Sequence, residues 1–274
     1  MKRPTRTILK SLVATTALAL LGAGPALADV NVGVSLSLTG PGSGLGIPMQ
    51  NQMKLWPATI GGEKVNLVIL DDASDPGKGV SNARRFITED KVDVILGSTS
   101  TVTATAMSDV AVAARTPQIG LSPMQIPEAK LPWVFNLPQP VPIMVSAIID
   151  DMKKSGMKTV AFIGYADGWG DLNWNALNQV AKNAGITVVT GERYNRTDTS
   201  VTGQVLKIVA ARPDAVITGT SGTPGALPYV ALAERGWKGP IYGTHALINP
   251  DFVRIGGAAV EGLLAPTGPV IVAE

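Results

Sequence analysis

Apolar residues along the chain alternate between two patterns. Short β-rich runs occupy residues 30–36, 65–70, 92–96, 118–121 and 133–137, and again 160–164, 186–190, 214–218, 239–243 and 260–265. Between them, apolar positions recur at helical spacing, as in Val80, Ala83, Phe86 and Ile87 or Val205, Ile208 and Val209. This alternation predicts βα units and parallel sheets. A helix is expected over 48–56, disturbed by Pro57 and ended by Gly61-Gly62. Asp75 caps the next helix, with Pro76 in its first position. Further helices are expected to end at Arg115, Lys154 and Ala184, with others over 201–211, 226–235 and 251–255.

The stretch from 92 to 123 carries the sharpest signal. Its first run ends in Gly97, followed by Ser98, Thr99, Ser100 and Thr101 and then a small-residue helix that Thr116-Pro117 stops. Parallel sheets bind ligands at the carboxyl edge of their strands. A helix N-terminus offers free N–H groups and partial positive charge to an anion. The loop has no Lys, so a small carboxylate suits it better than a nucleotide phosphate. Ser and Thr are also ordinary helix caps, so a purely structural role stays open.

Pro138, Pro140 and Pro142 interrupt the rhythm and mark a crossing between two α/β series. Two lobes follow, 29–138 and 139–262, with a cleft between their strand ends and a second crossing over 263–274. Residues 1–28 read as an export signal. Lys2, Arg3, Arg6 and Lys10 precede an apolar stretch and the small-x-small site Ala26-Leu27-Ala28, with cleavage expected after Ala28. The expected location is the periplasm.

Composition narrows the chemistry. The whole chain has a formal charge of +2; the signal holds four basic residues and no acidic one, so the remainder carries −2. No basic stripe with interleaved aromatics points to nucleic acid. The chain has no Cys and one His, which removes Cys nucleophiles and His-rich metal sites. Asp71, Asp72 and Asp75 lack the glycine and terminal glutamate spacing of a calcium loop. Neither a metal nor a cofactor is expected.

Several segments in order match a known family. They are Val32-Gly33-Val34 through Leu38-Thr39-Gly40-Pro41, Asp71-Asp72-Ala73-Ser74-Asp75-Pro76, Glu89-Asp90-Lys91-Val92 to Gly97, Ser122-Pro123, and Val260-Glu261-Gly262-Leu263-Leu264. The chain resembles the type I substrate-binding proteins of ABC transporters, in the branch that includes the leucine/isoleucine/valine-binding proteins. The resemblance implies an α/β fold of two lobes, no catalysis, a small-molecule ligand and a membrane permease as partner. Against the family's length the chain looks truncated, with the rest of lobe one missing.

Ligand positions carry over residue by residue. Ser100 and Thr101 match the loop that holds a carboxylate. After Ser122-Pro123 the family places a small residue and a Thr; here Met124-Gln125-Ile126 stand instead. Tyr165 and Trp169 are candidates for the aromatic that lines the ligand, with Trp169, between two glycines, preferred. Thr220 lies in the hydroxyl loop after the 214–218 run. His245 stands where the amino-acid receptors carry the acidic residue that grips the ligand ammonium. A small organic acid, aromatic ones included, is therefore expected. The alternative is a branched-chain or other amino-acid receptor using Asp167 or Asp171, with Asp171 read as a helix cap. A hydrolase built on Ser100 or Ser122 would have only His245 as base and lacks a Gly-x-Ser-x-Gly elbow. A sensory ligand domain is the remaining alternative.

Overall fold

The computed structural model describes residues 29–268; the export signal expected over 1–28, and residues 269–274, lie outside the described residues. In chain order the elements are β1 (Val30–Leu36), α1 (Ser43–Met53), β2 (Thr59–Ile60), β3 (Glu63–Asp71), α2 (Pro76–Thr88), β4 (Val94–Gly97) and α3 (Thr101–Ala114). They continue with β5 (Gln118–Gly120), β6 (Val134–Asn136), α4 (Val141–Lys154), β7 (Thr159–Tyr165), α5 (Gly168–Ala184), β8 (Thr187–Tyr194) and α6 (Thr202–Ala211). The last are β9 (Ala215–Gly219), α7 (Leu227–Glu234), β10 (Ile241–Tyr242) and α8 (Pro250–Gly256).

One sheet runs β3-β1-β4-β5-β6, and its β1–β4, β4–β5 and β5–β6 pairs are parallel. The other runs β10-β9-β7-β8 and is parallel throughout. Both belong to one compact unit, residues 31–56 and 67 onward. Residues 57–66, with the described residues up to Val30, form a small unit of their own. Within it β2 pairs antiparallel with the start of β3, matching Ile60 with Glu63.

The helices are amphipathic in the expected sense. In α4, Met144, Ile148 and Met152 recur every fourth residue and are buried with Phe162 and Ile163 of β7. Phe86 of α2 is fully buried beside Gly33, where a Cβ would lie 2.6 Å from its ring. Full burial of such a side chain contributes about 1.5–3 kcal/mol.

Three expectations need correction. The helix expected over 48–56 is α1, and it starts at Ser43. Gly46 lies inside it, and only glycine fits there because a Cβ would strike the Ser37 carbonyl oxygen. Gly61-Gly62 does not end that helix; both glycines have positive φ, 62° and 92°, and form the two-residue turn between β2 and β3. The strand expected over 260–265 is reduced to a bridge between Leu264 and Tyr242, after a 3₁₀ turn at Gly257–Val260. Gly262, at φ 79°, interrupts the extended backbone.

One buried carboxylate ties the carboxyl edge of the first sheet together. Asp72, the residue after β3, accepts hydrogen bonds from Ser35 Oγ (3.0 Å), Ser37 Oγ (2.8 Å), Ser98 Oγ (2.6 Å) and the Ser74 amide (2.9 Å). Ser98 Oγ in turn accepts from the Ser100 amide at 3.1 Å, which fixes the residue that opens α3. Asp72→Ala would strand these donors in the interior. The expected loss is about 3 kcal/mol or more in equilibrium urea unfolding; a loss below about 1 kcal/mol would remove Asp72 from this role.

Candidate functional site

The carboxyl ends of both sheets converge on one cavity of about 160 Å³. The first sheet supplies Thr99, Ser100 and Thr101 after β4, and Leu121, Ser122 and Pro123 after β5. From the second come Trp169 after β7, Arg196 after β8, Ser221 after β9, and His245 and Ala246 after β10. Leu45 and Met49 of α1 complete the wall. Gly222 lets the two sets of loops approach: it has φ 62°, and a Cβ there would lie 2.6 Å from the Pro41 carbonyl oxygen.

Several lining hydroxyls are already engaged. Thr101 Oγ1 donates to the Pro123 carbonyl at 3.0 Å, and Ser122 Oγ donates to the Ser98 carbonyl at 3.2 Å. Thr99 Oγ1 accepts from the Ser37 amide at 3.2 Å. By contrast, Ser100 Oγ, Trp169 Nε1 and His245 Nδ1 are buried atoms without a hydrogen-bonding partner among the described residues. Ser100 makes no side-chain cap to α3, so its hydroxyl occupies none of the first-turn amides of that helix. An indole N–H and backbone amides only donate. Among the described residues, no Asp or Glu lines the cavity.

Arg196 is held on three sides. Its Nε donates to Asp167 Oδ2 at 2.6 Å, and its Nη1 donates to Ser221 Oγ at 3.1 Å. Its Cζ lies 4.1 Å from the centre of the Tyr165 ring. Tyr165 is fully buried and donates its hydroxyl to the Ser221 carbonyl; burial pushes its pKa up to about 12. Asp167 also caps α5, its Oδ1 accepting from the Trp169 amide (3.0 Å) and the Gly170 amide (3.2 Å). The His245 ring stands edge-on to Trp169, 6.2 Å between centres. Burial holds its pKa below the ordinary value, so it is neutral at pH 7 in the free protein.

Of the residues singled out by sequence, Ser100, Thr101, Ser122, Trp169 and His245 are brought together here. Four stand outside the wall. Met124 is buried among Ala104 and Val134, its backbone paired with the Asn136 side chain. Gln125 is exposed and faces a separate hollow with Thr105 and Asn175. Tyr165 lies beneath Arg196, and Thr220 is fully buried behind the wall. The cap of α5 is Asp167, not Asp171, which is exposed and pairs with Arg193 at 3.3 Å. Sequence reasoning missed Arg196. It ended that strand at residue 190, whereas β8 continues to Tyr194 and places Arg196 at the carboxyl edge.

A family model described as periplasmic binding protein matches residues 29–271. The chain belongs to the periplasmic binding protein family. The family and fold are those of solute-binding receptors, not enzymes. A Leu/Ile/Val-binding protein homolog of Brucella melitensis is 29% identical over 75% of this chain; the aligned region spans 56% of that protein. An extracellular ligand-binding receptor of Rhodopseudomonas palustris has a TM-score of 0.87 and 45% identity, over 89% of this chain and 68% of its own. A solute-binding protein of R. palustris, solved with 4-hydroxybenzoate, has a TM-score of 0.76 at 22% identity, over 84% of this chain and 66% of its own, and so shares the fold. Among the described residues of this binding protein, no helix is long and apolar enough to cross a membrane.

The hydrogen-bond pattern separates two neighbouring hydroxyls. Thr101→Val deletes a bond within the protein and should lower stability by about 1 kcal/mol. Ser100→Ala deletes a hydroxyl with no protein partner and should change it by less than about 0.5 kcal/mol. Unfolding of the free variants checks this; equal losses would contradict the assignment.

Proposed function

We propose that this binding protein is an extracytoplasmic receptor for a small organic acid, aromatic acids included, which it delivers to the permease of an ABC importer. In this reading residues 1–28 are removed after Ala28, and the sheets act as two lobes, 29–138 and 139–262. The observation that carries the proposal is the cavity's excess of donors, with no lining carboxylate among the described residues. A buried ligand ammonium would have no anion opposite it, and an unpaired buried charge is costly. Asp167 does not supply that anion, because it is not among the residues that line the cavity and its charge is already paired with Arg196. The size also fits: a cavity of about 150 Å³ accepts a benzene ring.

A thermal-shift screen against carboxylic acids, their amides and amino acids tests this reading. At a hundred times its dissociation constant a ligand stabilises by about 2.7 kcal/mol. Acids should produce that shift; a shift with amino acids alone would refute the proposal. The pH dependence has a definite sign. A carboxylate beside His245 raises the imidazole pKa above its lowered free-protein value. Affinity should therefore be greatest below the free-protein pKa, fall as pH rises towards the pKa of the complex, and level off above it.

A further inference from the structure

We propose that Arg196 is the specificity-determining residue of this site, meeting the ligand carboxylate directly; the inference rests on the organic-acid reading above. The guanidinium lies in the cavity wall and its orientation is fixed from three directions. Tyr165 supports its plane, Asp167 takes Nε and Ser221 takes one Nη1 hydrogen. A guanidinium has five N–H donors. The bonds to Asp167 and Ser221 use two of these, and three N–H groups remain for a further acceptor. A planar carboxylate matches a guanidinium fork in two-pronged fashion, which an ammonium or a neutral amide cannot do.

The ion pair with Asp167 does not cancel this attraction. The Asp167 carboxylate also accepts two amides at the N-terminus of α5, where the helix carries partial positive charge. Its negative charge is shared between the helix end and the guanidinium, and the local balance favours an incoming anion. The neighbouring cavity groups agree: Trp169 Nε1 donates only, and His245 Nδ1 can donate. Asp167 acts here as a positioning residue, since the same side chain sets the Arg196 fork and the start of the helix that carries Trp169.

Benzoate and benzamide differ in charge at nearly constant shape, and calorimetry on the wild type, Arg196→Gln and Arg196→Lys distinguishes the roles. Wild type should bind benzoate at least tenfold more tightly than benzamide. Arg196→Gln should weaken benzoate by about 10- to 100-fold and benzamide by less than threefold, which erases the preference. Arg196→Lys should keep part of it. Equal weakening of both probes would reduce Arg196 to a loop support and overturn the proposal, as would a preference that survives in Arg196→Gln. The unfolding midpoint of each free variant guards against simple loss of fold: if Arg196→Gln unfolds, loss of at least threefold of the preference in Arg196→Lys sustains the proposal and an unchanged preference overturns it. If the wild type binds amino acids and neither probe, the organic-acid reading itself fails and this inference with it.

Discussion

The site depends on one buried carboxylate. Asp72 gathers Ser35, Ser37 and Ser98 from the ends of neighbouring strands and the Ser74 amide from its own turn. A buried carboxylate is tolerable only when its lone pairs are satisfied, and four donors satisfy it. The arrangement sets where β4 ends and, through the Ser98–Ser100 contact, where α3 begins. The N-terminus of α3 is therefore placed by an interaction that never touches the cavity. Gln118 reinforces the same corner, its side-chain amide donating to the carbonyls of Gly97 and Ala104.

On this scaffold the second sheet contributes most of the polar nitrogen groups of the cavity wall. Its loops bring an indole donor, a half-buried neutral imidazole and a stacked guanidinium to one wall. The first sheet adds helix amides and one free hydroxyl. Donors thus come from both sides, while Leu45, Met49 and Leu121 supply apolar wall. Such a pocket suits a compact apolar body with an acceptor-rich head. The Brucella relative is named for leucine, isoleucine and valine binding, but among the described residues of this chain no Asp or Glu lines the cavity.

Most of the fold was legible because periodicity and caps act locally. The run at 30–36 and the Asp75-Pro76 helix start appear where the pattern put them, since β propensity and N-capping need only nearby residues. The misplaced start of α1 shows the limit. Gly46 is small because Ser37 passes beside it, a contact made by the fold and not by the local pattern. Part of the cavity wall was readable from strand-end hydroxyls, Trp169 and His245. Arg196 was not, because its role depends on β8 extending to Tyr194 and on Tyr165 lying beneath it, and neither is a local property. Tyr165 was misplaced for the same reason: an aromatic at a strand end can face the ligand or support the residue that does.

In the organic-acid reading the site discriminates against an α-ammonium. Leucine and 4-methylpentanoate share a side chain and a carboxylate and differ in that one group. Titration calorimetry of both at neutral pH tests the claim most directly. The account predicts that 4-methylpentanoate binds at least tenfold more tightly, because no lining carboxylate among the described residues pays for burying the ammonium. Tighter binding of leucine would contradict it.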